Sequence, residues 1–95
     1  MKISWSEKAE KQLNQIFDYI ASDSTLYAYR TANKIIECTE LISRNPRIGR
    51  KVPEFDRSDL REMFVHSYRI IYQLTENEIH IVSIIHGARL LPKKL

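Results

Sequence analysis

The stretch LREMFVHSYRIIYQLTENEIHIVSIIH, Leu60 to His86, decides the fold. Ahead of it apolar residues recur at helical spacing; from Leu60 the period falls to two and the residues become β-branched and aromatic. Met63-Phe64-Val65 and Ile70-Ile71-Tyr72 flank His66-Ser67, which reads as a two-residue hairpin turn. That turn pairs Val65 with Tyr68, Met63 with Ile70 and Arg61 with Tyr72. A second turn over Thr75-Glu76-Asn77-Glu78 pairs Leu74 with Ile79 and Tyr72 with Ile81, and Ile79 to Ile85 reads as a central strand. One face of this sheet then holds Met63, Val65, Tyr68, Ile70, Tyr72, Leu74, Ile79, Ile81 and Ile85, apolar enough to take a helical layer. The other holds Glu62, Phe64, Arg69, Ile71, Gln73, His80, Val82, Ile84 and His86 and reads as a mixed binding surface. A slip of one residue would exchange the two faces.

Working back toward the N-terminus, the segment from Pro46 to Asp59 has no apolar period and is broken by Pro46, Gly49, Pro53, Asp56 and Asp59. It reads as a loop made basic by Arg47, Arg50 and Lys51, which can contact phosphates or form an ordinary solvated turn. Before it, Ala28, Ala32, Ile35 and Ile42 mark a helix with Cys38 and Thr39 in its middle turn, capped from Ser22-Asp23-Ser24-Thr25 and stopped at Asn45-Pro46. Ala9, Leu13, Ile16, Phe17 and Ile20 mark an earlier helix that starts at Ser6, with Glu7 in its first turn. Ile3 and Trp5 alternate with Lys2 and Ser4 as a short opening strand. The expected fold is therefore α+β, in the order β-α-α-β-β-β: a two-helix hairpin packed on an antiparallel sheet of about four strands, in a single domain over residues 1–95.

Composition bounds the function. With 43% hydrophobic and 28% charged residues the chain can bury a modest core, and 95 residues leave no room for a separate cofactor module. A net charge of +3 suits an acidic partner without requiring one. No apolar run approaches a membrane span, the N-terminus lacks a signal peptide's apolar stretch, and one Cys cannot form an internal disulfide; a cytoplasmic protein is expected. Cys38 sits on an apolar helix face with no Cys or His at metal-ligand spacing and reads as core, so no metal is expected. The lack of a Gly-rich phosphate loop or a nucleophile elbow removes kinases, NTPases and α/β-hydrolases, and no cofactor is expected. Trp5, Phe17 and Tyr19 follow strand or helix periods and read as core.

Specific residues in this order complete a resemblance: Trp5-Ser6 ahead of Ala9, Leu13 and Ile16 with Tyr19-Ile20, then Asn45-Pro46-Arg47-Ile48-Gly49-Arg50 leading to Val52-Pro53-Glu54. Leu60-Arg61-Glu62, Tyr68-Arg69-Ile70-Ile71-Tyr72 and His86-Gly87-Ala88-Arg89 follow. Across nearly its whole length the chain resembles the RelE/ParE superfamily of toxins from type II toxin–antitoxin systems. The ending, the Pro-x-x-Gly-Arg loop and the Tyr-Arg-Ile-Ile-Tyr strand are more similar to the ParE branch. That resemblance implies a non-enzymatic poison of DNA gyrase in a plasmid-stabilisation or stress module, neutralised by an antitoxin whose C-terminal segment folds onto it. The RelE branch implies instead ribosome-dependent mRNA cleavage using Lys/Arg with a Tyr or a His/Tyr pair near the C-terminus, and here no tyrosine lies beyond Tyr72.

A nuclease of this kind needs a base for the ribose 2′-OH, an acid for the leaving oxygen and cations for the developing phosphorane charge. The residues available are Glu54 as base, His86 as acid, and Arg61 and Arg69 as charge stabilisers, with Arg69 expected beside Ile84 and near His86 on one face. Each has a structural alternative: Arg69 can pair with Glu62 or contact Phe64, His86 can close the last strand, and Arg61 can lie over Tyr72 or pair with a helix acid. No catalytic residue is therefore favoured. The expected target- or antitoxin-binding residues are Phe64, Arg69, Ile71, Val82, Ile84 and His86 on the mixed face, with Arg89, Lys93 and Lys94 beyond it.

Overall fold

A computed structural model of the chain describes residues 1–89 and 91. Ser6 ends the opening strand β1 (Lys2–Trp5) and caps helix α1 (Glu7–Ala21): its side chain accepts the Ala9 N–H at 3.0 Å. Ser24 caps helix α2 (Thr25–Arg44) in the same way through the Tyr27 N–H, and α2 stops at Asn45, ahead of Pro46. The four strands that follow are β2 (Arg50–Lys51), β3 (Leu60–Val65), β4 (Tyr68–Leu74) and β5 (Glu78–His86). His66 takes φ 52, the left-handed conformation a two-residue hairpin turn needs at its first position.

The sheet order is β1-β5-β4-β3-β2, five strands rather than about four, with the helices packed on one face. β1 lies parallel to β5, so the sheet is mixed. Alternation along Ile3 and Trp5 marks a strand but carries no information on its direction. The extra strand, β2, pairs only Arg50 with Glu62 and Lys51 with Arg61, too short to leave a period in the sequence. The β3–β4 register is the one the His66-Ser67 turn requires, including Arg61 opposite Tyr72.

The β4–β5 register holds from Leu74 opposite Ile79 to Tyr72 opposite Ile81 and then shifts, because Ile71 meets Ser83 and Val82 is an extra residue in a β-bulge. Beyond the bulge every side chain changes face relative to the expectation. Ile84 pairs with Ile70 and joins the core under the helices, whereas Ile85 pairs with Arg69 and points to the other side. Helix α1 satisfies the bulge: Ser6 Oγ donates to the Val82 carbonyl at 3.1 Å, and Gln12 Oε1 accepts from the Ile84 N–H at 2.8 Å and from the Ser83 hydroxyl at 3.1 Å.

Two cores result. Under the helices Ala9, Ile35, Ile42, Ile70, Tyr72, Ile79, Ile81 and Ile84 are buried, each isoleucine contributing about 1.5–3 kcal/mol. The opposite face, expected to be a mixed binding surface, is instead covered by the segment after β2: Val52 packs on Leu60 of β3, Ile71 and Ile85, with Phe55, Val82 and Leu91 at the rim. Tyr72 pins the start of that segment, its hydroxyl donating to the Pro46 carbonyl at 2.8 Å and accepting the Gly49 N–H at 2.9 Å. A Cβ at Gly49 would lie 2.6 Å from the Tyr72 oxygen and 2.7 Å from the Glu62 carbonyl, so only glycine fits. Among the described residues no helix is long and apolar enough to cross a membrane.

Tyr72→Phe leaves the buried Gly49 N–H without its partner and is expected to cost about 1–3 kcal/mol, read as a lower urea midpoint at unchanged slope. Gly49→Ala is expected to cost at least as much by overpacking, about 1–3 kcal/mol. Unchanged midpoints would contradict the pinning role given to Tyr72.

Candidate functional site

Arg69 projects from β4 into the second core, and its guanidinium is surrounded. Nε and Nη2 donate to Glu62 Oε1 at 2.8 and 2.5 Å, Nη1 and Nη2 donate to the two Glu54 oxygens at 2.8 Å each, and Nη1 also donates to the Arg89 carbonyl at 3.3 Å. These contacts occupy every N–H of the guanidinium. The Arg69 side chain is 5% exposed and that of Glu62 fully buried, whereas Glu54 keeps 22% of its side-chain surface. Arg50 closes the cluster, its Nε 2.7 Å from the other Glu62 oxygen and its guanidinium 5.3 Å from the Phe64 ring centre. Glu54 also accepts the Leu91 N–H at 3.2 Å, which ties the C-terminal segment to the loop.

This geometry sets the protonation states. The Arg69 hydrogen bonds hold the Glu54 carboxyl at about 2, far below its ordinary 4.5. Glu54 in turn leads the partners that push Arg69 further up. A carboxylate so stabilised is a weak base toward a ribose hydroxyl, and a guanidinium with no free N–H offers nothing to a phosphate.

The other nominated groups lie elsewhere. Because of the bulge His86 aligns with Tyr68, not with the neighbourhood of Arg69, and its ring stands 6.0 Å from that of Tyr68. It lines a cleft with Gln12, Tyr19 and Arg89 on the helix side of the sheet, and its Nδ1 accepts the Ala88 N–H at 3.2 Å. Arg61 neither stacks on Tyr72 nor pairs with a helix acid: it donates to the carbonyls of Gly49 at 2.9 Å, Ser58 at 3.2 Å and Arg47 at 3.4 Å, holding the loop. Glu54 and Arg69 are thus brought together as partners, and His86 and Arg61 stand apart from them.

Of the expected binding residues, Ile71 and Ile84 are fully buried in the two cores, Arg69 is buried, and Val82 is half-buried, so that face offers no continuous apolar patch. Phe64 is 49% exposed, and His86 and Arg89 are exposed. Lys93 and Lys94 lie outside the described residues. In the basic loop Arg47 and Lys51 are exposed and Arg50 is held by Glu62. Cys38 is buried, which raises its thiol. Among the described residues no group of three His, Cys, Asp or Glu side chains is placed to hold a metal ion.

Tyr19 corrects the expectation of a core residue, being 78% exposed. At about 100° per residue it falls well off the stripe of Ala9, Leu13, Ile16, Phe17 and Ile20, and that angle was the available signal. It shares a cleft with Tyr27, Tyr68, His66 and His86, a grouping that no linear spacing reveals.

The depressed Glu54 group makes a pH prediction. The folded chain binds fewer protons here than the unfolded one, so this contribution to stability is full above about pH 5 and is lost as pH falls toward 2. The urea midpoint is expected to fall over that range, and Glu54→Gln to flatten the fall. Asp59, lowered by its hydrogen bonds from Arg57, leaves a residual slope in both chains. Identical slopes would contradict the ion-pair account of Glu54.

Residues 3–91 match the family described as ParE toxin of type II toxin-antitoxin system, parDE. The Toxin RelE2 of Caulobacter vibrioides is 33% identical over 90 residues, covering 94% of this chain and 98% of that protein. The fold is similar to that in the chromosomal ParDE TA system from P. aeruginosa, with a TM-score of 0.74 at 20% identity over 90% of this chain and 95% of that one. It is also similar to the YoeB dimer from Staphylococcus aureus, with a TM-score of 0.62 at 22% identity over 87% and 92% of the two chains. The match along residues 3–91 and the 33% identity together place this chain in the ParE toxin family of type II toxin–antitoxin systems, within the wider RelE/ParE superfamily.

Proposed function

We propose that this toxin acts by binding rather than by cutting RNA, that its cytoplasmic target is DNA gyrase, and that a cognate antitoxin neutralises it. The observation that carries the proposal is the closed Arg69 cluster. Its guanidinium is saturated by Glu54 and Glu62, Glu54 is held at about 2, and His86 lies on the other side of the sheet. Cleavage of RNA by these groups would need the Arg69 guanidinium free to meet a phosphate, and Glu54 and His86 converging and titrating near neutrality. The family match supports the ParE side of the choice.

For the antitoxin, the edge of β3 supports a docking place. β2 covers only Arg61 and Glu62, so Met63, Phe64 and Val65 continue beyond it. A cleft of about 400 Å³ runs there between β3 and the Lys34, Glu37 and Leu41 side of α2. An extended partner segment can add a strand to such an edge and place an apolar side chain on Phe64.

The alternative, a ribosome-dependent endoribonuclease, is favoured by one observation, the 33% identity to a protein named RelE2. The two readings separate when purified toxin is tested in a gyrase supercoiling reaction and in a translating extract. The expected result is arrested gyrase with broken DNA and intact message, retained in His86→Ala because that exposed ring has no chemistry to perform. Ribosome-dependent cuts that His86→Ala abolishes would overturn the proposal.

A further inference from the structure

A cleft of about 410 Å³ opens where the α1–α2 turn meets the β3–β4 turn, and its walls are aromatic. Tyr19, Tyr27 and Tyr68 converge on it with His66 and His86. The Tyr27 and His66 rings are 6.1 Å apart and tilted by 45°; those of Tyr68 and His86 are 6.0 Å apart and nearly perpendicular at 79°. Tyr19 and Tyr27 are 78% and 49% exposed, so their ring surfaces are open to a visitor. Burial, and then the closeness of Tyr19 and Tyr27, raise the Tyr68 phenol.

The charge of this cleft is opposite to that of the chain. The protein carries 15 Lys and Arg against 12 Asp and Glu, yet among the described residues lining the cleft the one Asp, Glu, Lys or Arg is Asp23, beside the titratable rings of His66 and His86. Asp23 takes part in no salt bridge among the described residues. Aromatic faces are themselves negative, so the surroundings repel phosphate and carboxylate and attract a cation. A second observation points to a missing occupant: the Thr31 hydroxyl, on a residue 1% exposed that lines the same cleft, has no hydrogen-bond partner. Buried hydroxyls are rarely left unpaired.

We propose that this cleft is a receptor for the guanidinium group of an arginine carried by a partner protein. A guanidinium is planar and stacks on tyrosine faces, while its rigid fork of five donors has N–H groups to offer both Asp23 and the Thr31 oxygen, which line the same cleft. A lysine ammonium, compact and more strongly hydrated, matches the flat walls less well. The site lies apart from the Arg69 cluster, shares His66 with the cleft at the free edge of β3, and does not depend on which target the toxin has.

The test is NMR titration of the full-length protein with the peptide Gly-Ser-Arg-Ser-Gly. The control is the same peptide with citrulline, the uncharged isostere, in place of arginine. The expected result is that the arginine peptide shifts the ring signals of Tyr19, Tyr27, Tyr68 and His66, that citrulline binds at least about tenfold more weakly, and that Asp23→Asn weakens the arginine peptide by about tenfold. Asp23 and Tyr19 are exposed, so Asp23→Asn and Tyr19→Ala are expected to leave the remaining amide spectrum unchanged, which separates lost binding from lost folding. Equal binding of the citrulline peptide, an unchanged affinity in folded Asp23→Asn, or shifts confined to another surface would each overturn the assignment.

Discussion

The buried guanidinium of Arg69 between Glu62 and Glu54 is the constraint around which the non-helical half of the molecule is arranged. A charge taken out of water is tolerable only when every donor is met, and removing one partner of such a group typically costs about 3–5 kcal/mol. The partners come from three places: β3 supplies Glu62, the loop after β2 supplies Glu54, and the C-terminal segment supplies the Arg89 carbonyl. Satisfying Arg69 therefore draws the loop and the tail over the sheet, and Val52, Phe55 and Leu91 then cover Leu60, Ile71 and Ile85. What looks in sequence like an open binding face becomes a second core because a cation sits in its middle.

The parts of the fold that were legible are those set by local rules. The cap at Ser6, a second cap within Ser22-Asp23-Ser24-Thr25 that Ser24 supplies, the stop at Asn45-Pro46 and the two-residue turn His66-Ser67 each depend on a few neighbouring residues, and each stands where the sequence places it. The bulge at Val82 does not. Ile81, Val82, Ile84 and Ile85 are all β-branched, so shifting the register by one leaves the pattern equally apolar and only tertiary partners, Ser6 and Gln12, reveal the extra residue. That single residue exchanges Ile84 with Ile85 and carries His86 away from Arg69. The loop from Pro46 to Asp59 was illegible for a related reason: it is ordered by contacts distant in sequence, from Tyr72, Arg61 and Arg69.

For the site, residue types were visible and their states were not. Glu54, Arg69 and His86 are the right kinds of group for acid–base chemistry, but catalysis depends on which of them meet and which remain free to exchange protons. Here the acid and base candidates lie on opposite sides of the sheet, and the base candidate is fixed as a carboxylate by its own cation. What remains accessible are the two surfaces we propose for recognition: the edge of β3 with Phe64, and the tyrosine-lined cleft at the end of the helical hairpin.

If the Arg69 cluster is scaffold and not chemistry, its charges can be replaced together without loss of toxicity. Swapping a buried ion cluster for apolar or neutral groups of similar size is often neutral for stability, unlike removing one member. The combined variant Glu54→Gln, Glu62→Leu, Arg69→Met is to be induced in cells without antitoxin, with its folding followed by thermal melting. The account predicts a cooperatively folded protein that still arrests growth; a folded protein that no longer does so would contradict it.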